Sequence, residues 1–181
     1  MSCYTKPMTT YTLAGGCFWC LDAVYRRLRG VTTVESGYGG GEGPATYARV
    51  STGETGYAES VQITFDESII PPETILDIFF LIHNPTTLNR QGNDIGPQYR
   101  SAMFYTDDSQ KTAFEAALER ARKHWDEPIV TEIVPLKNFI SGEEEHQDYF
   151  TNHPENPYCS FVIEPKISKA RQAYTKWFKE N

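Results

Sequence analysis

The sequence predicts an α+β fold: a ferredoxin-like split βαβ core, in which helices cover one face of a mainly antiparallel sheet to form a two-layer sandwich. Two observations support this class. The hydrophobic patterns follow the order β-α-β-β-α-β, then a further helix and strand, and the chain ends in a helical C-terminal tail. Two polar segments between these patterns are longer than a compact domain needs, so we expect these long loops to carry the function.

The predicted core begins with a strand over residues 9–14, which Gly15 and Gly16 end. Apolar side chains recur at helical spacing in the next segment, at Leu21, Val24, Tyr25 and Leu28. This spacing predicts a first helix. Residues 31–38 predict a second strand, and a glycine-rich loop covers residues 37–56.

The second half of the core repeats this pattern. Apolar and polar residues alternate over 61–65, which predicts a half-buried strand. A second helix begins at the proline pair 71–72 and ends at the Asn-Pro pair 84–85, because the residue before a proline avoids the helical conformation. A polar loop over residues 86–100 then leads to a strand over residues 101–105.

The C-terminal third carries two more amphipathic segments. Asp107 or Asp108 caps a third helix. The apolar face of this helix consists of Phe114, Leu118, Ala121 and Trp125. Residues 129–134 predict another strand. The last helix is predicted from Ile167, Ala170, Tyr174, Trp177 and Phe178.

Length and composition indicate one catalytic domain over residues 1–181, with a core over about 9–150 and a tail with a helix over 151–181. The chain is 39% apolar and 23% charged, so it is not disordered. No apolar run approaches the roughly 18 residues of a membrane span. The net charge of −7 argues against a nucleic-acid partner. The first ten residues are mostly polar and do not resemble a signal peptide, so we expect a cytoplasmic monomer.

The four cysteines are too few for a secreted disulfide framework, and their spacing does not predict a metal site. Cys17 lies between a Gly-Gly pair and the predicted start of a helix, where unpaired amides and the helix dipole favour a reactive thiolate. Cys17 and Cys20 also form a C-x-x-C pair, so a thioredoxin-like disulfide oxidoreductase is an alternative. A non-catalytic module that binds a methyl or sulfoxide group is a second alternative.

Several polar residues lie where they could assist a thiol. Glu59 begins a strand, and a desolvated carboxyl there would have a raised pKa and could act as a general acid. Tyr47 and Tyr99 lie in the two polar loops, and their hydroxyls could donate to a developing oxyanion. Asp94, in the second loop, fits a turn position.

Six sequence blocks, in order and spacing, resemble the A-type peptide methionine sulfoxide reductase family over about residues 11–160. These blocks are Gly15-Gly16-Cys17-Phe18-Trp19, residues 36–41, Tyr47-Ala48-Arg49-Val50, Gly53 to Glu59, Asn84 to Ser101, and His146-Gln147-Asp148-Tyr149. Tyr57 departs from the family, which usually has His in this block. The tail also departs from it, with Asn156-Pro157-Tyr158-Cys159 in place of a Gly-Tyr-Cys ending.

The resemblance implies a role for each candidate. Cys17 is implied to attack the sulfur of the S epimer of methionine sulfoxide, free or in proteins, and Glu59 to protonate the oxygen. The implied oxygen-binding phenols are those of Tyr47 and Tyr99, and Asp94 belongs to the supporting network. The family's aromatic wall for the substrate methyl matches Phe18 and Trp19.

The recycling step is also implied by the resemblance. A sulfenic acid on Cys17 would form a disulfide with a second thiol, and thioredoxin would reduce it, with no bound cofactor. Cys159 matches the tail region of the family's resolving cysteines, Cys20 is the alternative, and an external thiol is a third option. A sulfoxide needs a soft nucleophile, a proton donor, oxyanion donors and an apolar seat for its methyl, and these residue types supply all four.

Overall fold

A computed structural model describes residues 7–180, and Cys3, which we interpret from the sequence as incidental, lies outside them. The strands are β1 (Met8–Gly15), β2 (Val31–Gly39), β3 (Ala58–Asp66), β4 (Arg90–Gln91), β5 (Asp94–Ile95), β6 (Ser101–Tyr105), β7 (Glu132–Pro135) and β8 (Phe139–Ser141). The helices are α1 (Phe18–Tyr25), α2 (Tyr47–Val50), α3 (Pro72–Ile82), α4 (Asp108–Ala121), α5 (Tyr149–Asn152) and α6 (Glu164–Ala173). A π-helical turn, Cys159–Ile163, leads directly into α6.

Six strands form one sheet in the order β7-β6-β1-β3-β2-β8, and β4 and β5 form a separate hairpin. The four central strands, β6, β1, β3 and β2, pair antiparallel with one another. Because β3 lies between β1 and β2, and β1 lies between β3 and β6, each βαβ unit is split by a strand of the other. This arrangement confirms the α+β class and the mainly antiparallel sheet; β7 pairs in parallel with β6 at one edge.

The hydrophobic core follows from the alternation of inward-facing and outward-facing side chains along the strands. Residues Leu13, Val61, Ile63 and Met103 are fully buried and pack into the main hydrophobic cluster together with apolar residues of α1, α3 and α4. The tail is part of the same cluster, to which it contributes Cys159, Ile163, Ile167, Ala170 and Phe178. No helix among residues 7–180 has both the length and the apolar composition needed to cross a membrane.

Four predicted elements have wrong boundaries, because contacts distant in sequence override the local pattern. The first helix ends at Tyr25, and Leu28 instead forms a short β-bridge with Phe178. The same bridge takes Phe178 out of the last helix, which ends at Ala173.

The predicted strand over residues 129–134 is displaced for a similar reason. The Val130 amide donates to the Pro85 carbonyl at 2.8 Å, so pairing with β6 begins only at Glu132. The third helix stops at Ala121 and leaves Trp125 outside it, although Asp107 caps this helix as predicted.

Five of the short elements named above were not predicted: β4, β5, β8, α2 and α5. Strand β8 adds to the edge of β2, and the short helix α2 lies inside the glycine-rich loop. The hydroxyl of Thr46 accepts a hydrogen bond from the Arg49 amide and caps α2.

Candidate active site

Cys17 occupies the junction between β1 and α1, where it is the residue that precedes the first helical turn. Gly16 has φ of +88°, and a β-carbon there would lie 2.5 Å from the Gln91 side chain. A residue with a side chain would therefore be strained and would clash with Gln91. Gly16 thus allows the second polar loop to lie close to the start of α1.

The Cys17 thiol is almost completely buried, with 7% of the residue exposed. It lies within hydrogen-bond reach of the Cys20 sulfur and of the Glu59 carboxyl. Burial, donation to Cys20 and the Glu59 charge all raise the pKa of Cys17, and the Trp19 amide opposes them only partly. The expectation that the helix start favours a thiolate is therefore wrong for the substrate-free site, because desolvation outweighs the dipole.

Glu59 lies beside this thiol, as the second residue of β3 and directly opposite Tyr38 of β2. It is 2% exposed, and its Oε2 atom accepts a hydrogen bond from the Phe18 amide at 3.0 Å. Burial raises the pKa of Glu59 to about 8, although the Phe18 amide lowers it. The carboxyl is therefore mostly protonated at neutral pH, as a general acid requires.

Tyr47 and Tyr99 approach Glu59 from the two polar loops. Tyr47 begins α2, and Tyr99 ends a 3-10 turn. Burial raises the pKa of Tyr47 to about 12 and also raises the pKa of Tyr99, and the Glu59 charge adds to both shifts. Both phenols therefore stay protonated and available as donors.

Asp94 lies at the start of β5 and accepts a hydrogen bond from the Tyr158 hydroxyl at 2.8 Å. Its charge adds to the raised pKa of Glu59 and of the two phenols Tyr47 and Tyr99. Asp94 is thus part of the cluster and is more than a turn residue.

Phe18 and Trp19 belong to a cluster of aromatic side chains. Phe18 is fully buried, and Trp19 is half-buried. Trp19 stacks on Tyr149 with a centroid distance of 3.7 Å and donates from Nε1 to Nδ1 of His146 at 3.2 Å. Both Phe18 and Trp19 have rings stacked with that of Tyr47, at 6.3 and 6.4 Å.

The structure adds residues to which sequence reasoning assigned no role. Glu143 accepts hydrogen bonds from the Tyr47 amide and the Tyr38 hydroxyl, both at 2.9 Å. His146 packs against the Tyr47 ring at a centroid distance of 4.3 Å, and burial lowers the pKa of His146, which favours its neutral form. The block that begins at His146 was part of the resemblance, but nothing in the local pattern placed it against Tyr47.

The two candidate resolving cysteines occupy different positions. Cys20 lies in α1 next to Cys17, with its sulfur 3.9 Å from the Tyr158 hydroxyl. Cys159 lies buried in the π-helical turn, and burial raises its pKa. All three of these cysteines are free thiols.

The grouping of these polar side chains is not that of a metal-binding site. Within residues 7–180, no three His, Cys, Asp or Glu side chains are grouped so that they could hold a metal ion. The chemistry available to the site is that of a thiol, a protonated carboxyl and neutral phenols.

Comparison with known proteins identifies the family. Residues 9–178 match the family model described as peptide methionine sulfoxide reductase. A protein named peptide methionine sulfoxide reductase MsrA from Pseudarthrobacter chlorophenolicus is 56% identical over 94% of this chain and 98% of its own length. A protein of the same name from Thermus thermophilus is 47% identical over 93% of this chain and 96% of its own length.

Solved structures agree with these relatives. Reduced Mxr1 from Saccharomyces cerevisiae has a TM-score of 0.80 and 36% identity, covering 84% of this chain and 89% of its own. Methionine sulfoxide reductase A of Corynebacterium diphtheriae has a TM-score of 0.75 and 28% identity, covering 84% and 78%. Mxr1 in complex with Trx2 has a TM-score of 0.57 and 28% identity, covering 82% and 92%. With a family match over nearly all of its length and relatives at about half identity, the chain belongs to the peptide methionine sulfoxide reductase family.

Proposed function

We propose that the protein reduces the S epimer of methionine sulfoxide, free or in oxidised proteins, to methionine, and that the Cys17 thiol is the nucleophile. The observation that carries this proposal is the contact between a buried thiol and a carboxyl whose pKa is about 8. A sulfoxide oxygen leaves poorly unless it is protonated, and Glu59 is protonated at the pH where the reaction must run.

The proton balance follows from this pair. Cys17 attacks the sulfoxide sulfur while Glu59 gives its proton to the oxygen and takes up the thiol proton. The S–O bond of the substrate then breaks as the protonated oxygen passes to the Cys17 sulfur, and the transient S–S bond breaks with it. The substrate sulfur is thereby reduced by two electrons to the thioether, and Cys17 is oxidised to a sulfenic acid. The raised pKa of Cys17 therefore does not prevent its attack on the sulfoxide, because the thiol loses its proton only as Glu59 gives one up.

The remaining candidates position the substrate. Tyr47 and Tyr99 donate hydrogen bonds to the oxygen, and the rings of Phe18 and Trp19 take the S-methyl group. Asp94 acts through Tyr158, to which it is hydrogen-bonded. Because the methyl and the oxygen go to chemically different surroundings, the site distinguishes the two epimers.

A second cysteine then forms a disulfide with Cys17, and thioredoxin reduces that disulfide. The complex of the related Mxr1 with Trx2 supports thioredoxin as the partner. A thioredoxin-like oxidoreductase built on the C-x-x-C pair would leave Glu59 and the phenols without a task, and family membership favours the reductase.

We also propose that residues 1–181 act as one catalytic domain, as a monomer in the cytoplasm. The contribution of the tail to the main core supports a single domain. The cytoplasm is supported by chemistry that needs a reducing compartment. Light scattering on the purified protein tests the monomer, and cell fractionation tests the compartment.

A single-turnover assay without reductant tests the activity. We expect one methionine per protein from the S epimer of a blocked methionine sulfoxide and none from the R epimer. Glu59→Gln keeps the shape but has no proton to give, so we expect a chemical step slower by roughly 100-fold or more.

The matched control is Glu54→Gln, at an exposed position in the loop that precedes β3, and it should leave the rate unchanged. Alkylation of Cys17 checks that each variant keeps its thiol. A Glu59→Gln rate equal to that of the control would remove Glu59 from the acid role, and the absence of methionine from either epimer would overturn the reductase assignment.

A further inference from the structure

We propose that Gln91 is a positioning residue for the reductase reaction, which holds the β4–β5 hairpin in place and so keeps the Asp94 carboxylate near Glu59. This inference rests on the proposed function, in which Glu59 gives its proton to the sulfoxide oxygen. Gln91 acts through Asp94 and is not itself a catalytic residue.

The β4–β5 hairpin is separate from the six-stranded sheet, and each of its strands is two residues long. Gln91 and Asp94 lie directly opposite each other in its register. Opposite residues of an antiparallel pair project from the same face, with their β-carbons about 4.5–5.5 Å apart. A hairpin of two strands is marginally stable by itself, so its position depends on contacts with neighbouring segments.

Gln91 supplies such a contact through both ends of its side-chain amide. Its Oε1 atom accepts a hydrogen bond from the Asn84 amide at 3.0 Å, and its Nε2 atom donates to the Asn84 carbonyl at 3.0 Å. Asn84 closely follows the end of α3, which is part of the main core. The two bonds therefore tie the hairpin to a rigid helix of the fold.

The stem of the Gln91 side chain lies against the residue that precedes the nucleophile. A β-carbon at Gly16 would lie 2.5 Å from Cγ and 2.8 Å from Cβ of Gln91. The side chain is thus held on two sides, by Asn84 through its amide and by the β1–α1 junction through its stem. Loosening this side chain would move the hairpin relative to Cys17 and Glu59.

Asp94 connects the other strand of the hairpin to the site. Its Oδ2 atom accepts a hydrogen bond from the Tyr158 hydroxyl at 2.8 Å. A single hydrogen bond restrains the distance between two groups but leaves their relative orientation free. The two parallel bonds of Gln91 also restrain orientation, so they determine the direction from which the Asp94 charge acts on the site.

Several elements contribute titratable side chains that interact with Glu59. They are Cys17 and Cys20 at α1, Tyr38 of β2, Tyr47 of α2, Tyr99 of the 3-10 turn and Asp94 of β5. Burial raises the pKa of Glu59 most, and among the neighbouring charges Asp94 raises it most, ahead of Cys20. A hairpin that moves Asp94 away should therefore lower the pKa of Glu59, which would then lose its proton at a lower pH.

The Gln91→Met variant tests this role. Met keeps the carbons that pack on Gly16 but lacks the amide that bonds Asn84. We would measure single-turnover methionine formation from the S epimer between pH 6 and 10 in the wild type, in Gln91→Met and in Asp94→Asn. We expect the decline near pH 8 to move to lower pH in both variants, by roughly 0.5 pH unit in Gln91→Met and at least as far in Asp94→Asn.

The shape of the profile separates positioning from a general structural defect. With the expected shift, the rate of Gln91→Met relative to the wild type should be about threefold lower at pH 9 than at pH 6. A loss by the same factor at every pH, with an unchanged midpoint, would overturn the inference. The matched control is Gln62→Met, because Gln62 also donates through its amide, to Thr12 at 3.2 Å, but lies on the opposite face of β3 from Glu59. Its profile should be that of the wild type.

A double variant tests whether Gln91 acts through Asp94. Adding Gln91→Met to Asp94→Asn should cause no further shift of the midpoint, because the charge that Gln91 positions is already absent. A further shift would show that Gln91 affects Glu59 by another route and would contradict the inference.

A second substitution and a second measurement do not depend on the folding of Gln91→Met. Gln91→Asn keeps an amide but is one methylene too short to reach Asn84, so we expect the same shift. The Asn84 amide should also exchange its hydrogen faster in either variant than in the wild type, because Gln91 is its acceptor. Unchanged exchange in a folded variant would show that Gln91 does not hold the hairpin.

Failure of the proposed function looks different. If neither epimer yields methionine in the wild type, the reductase reaction itself is absent. If the wild type shows the decline near pH 8 and Gln91→Met keeps it unchanged, the reductase stands and only the role of Gln91 falls.

Discussion

The Glu59 carboxyl lies at the buried end of a strand, where it accepts a hydrogen bond from the Phe18 amide and contacts the Cys17 thiol. One hydrogen bond is too little to offset the loss of water around a carboxylate, so the neutral form is favoured. The same burial keeps Cys17 protonated. At the scale of single residues, desolvation sets the protonation state of the site.

The pH dependence of the chemical step follows from this carboxyl. Glu59 must be protonated to act, and its pKa is raised from 4.5 to about 8. The single-turnover rate should therefore be high below pH 8 and fall as pH rises through about 8. Stopped-flow measurement of methionine formation from pH 6 to 10 gives the profile.

A fall centred near pH 4 to 5 would contradict the raised pKa of Glu59. The Glu59→Gln variant serves as the control: its residual rate should lack the decline near pH 8, because a Gln amide does not titrate there.

Short elements inside the loops hold the phenols in place. Helix α2 is only four residues long, and its position depends on contacts with a distant segment. Glu143, which follows β8, binds the Tyr47 amide at the start of α2 and the Tyr38 hydroxyl of β2. Although burial raises it, these hydrogen bonds bring the pKa of Glu143 below its ordinary value. A single charged side chain thus connects α2 to the sheet.

Removing this charge should impair the substrate site. A hydrogen bond to a charged group contributes roughly 1.5–3 kcal/mol, so we expect Glu143→Gln to lower kcat/KM by about tenfold or more. The melting temperature should fall by only a few degrees, so both variants stay folded at the assay temperature. Glu144→Gln, at an exposed neighbouring position, is the control and should match the wild type. Equal kinetics in the two variants would show that Glu143 does not position Tyr47.

At the scale of the whole molecule, the chain closes on itself. The tail returns to the end of α1, where Phe178 bridges to Leu28 and the Lys179 amide donates to the Arg27 carbonyl at 2.9 Å. The Arg171 guanidinium lies 4.8 Å from the centroid of the Phe178 ring. The helix that begins just after Cys17 is therefore held at its far end by the last residues of the tail.

This closure predicts a large loss of stability when its aromatic anchor is removed. Phe178 is 4% exposed, and truncation of a buried Phe costs about 3–5 kcal/mol, so Phe178→Ala should lower the free energy of unfolding by that amount. Phe161→Ala is the control in the same tail, because Phe161 is 80% exposed and should change stability by less than about 0.5 kcal/mol. Denaturant unfolding measures both, and an equal loss in the two variants would contradict the anchoring role.

Local patterns in the sequence were sufficient for the central strands and the long helices. Side-chain periodicity reports which face of a strand or helix is buried, so β1, β3 and α3 were predicted closely. Cys17 was a candidate nucleophile because it lies at an element boundary beside two glycines, whereas Glu59 became the candidate acid mainly through the family resemblance. These features depend on neighbours along the chain.

The remaining features depend on groups that are far apart in sequence and meet only in the folded protein. The contact of Glu143 with Tyr47 spans 96 residues, and that of Trp19 with His146 spans 127, so no local pattern contains them. The protonation of Cys17 was predicted with the wrong direction, because the helix start is visible in the sequence while the burial that outweighs it is not.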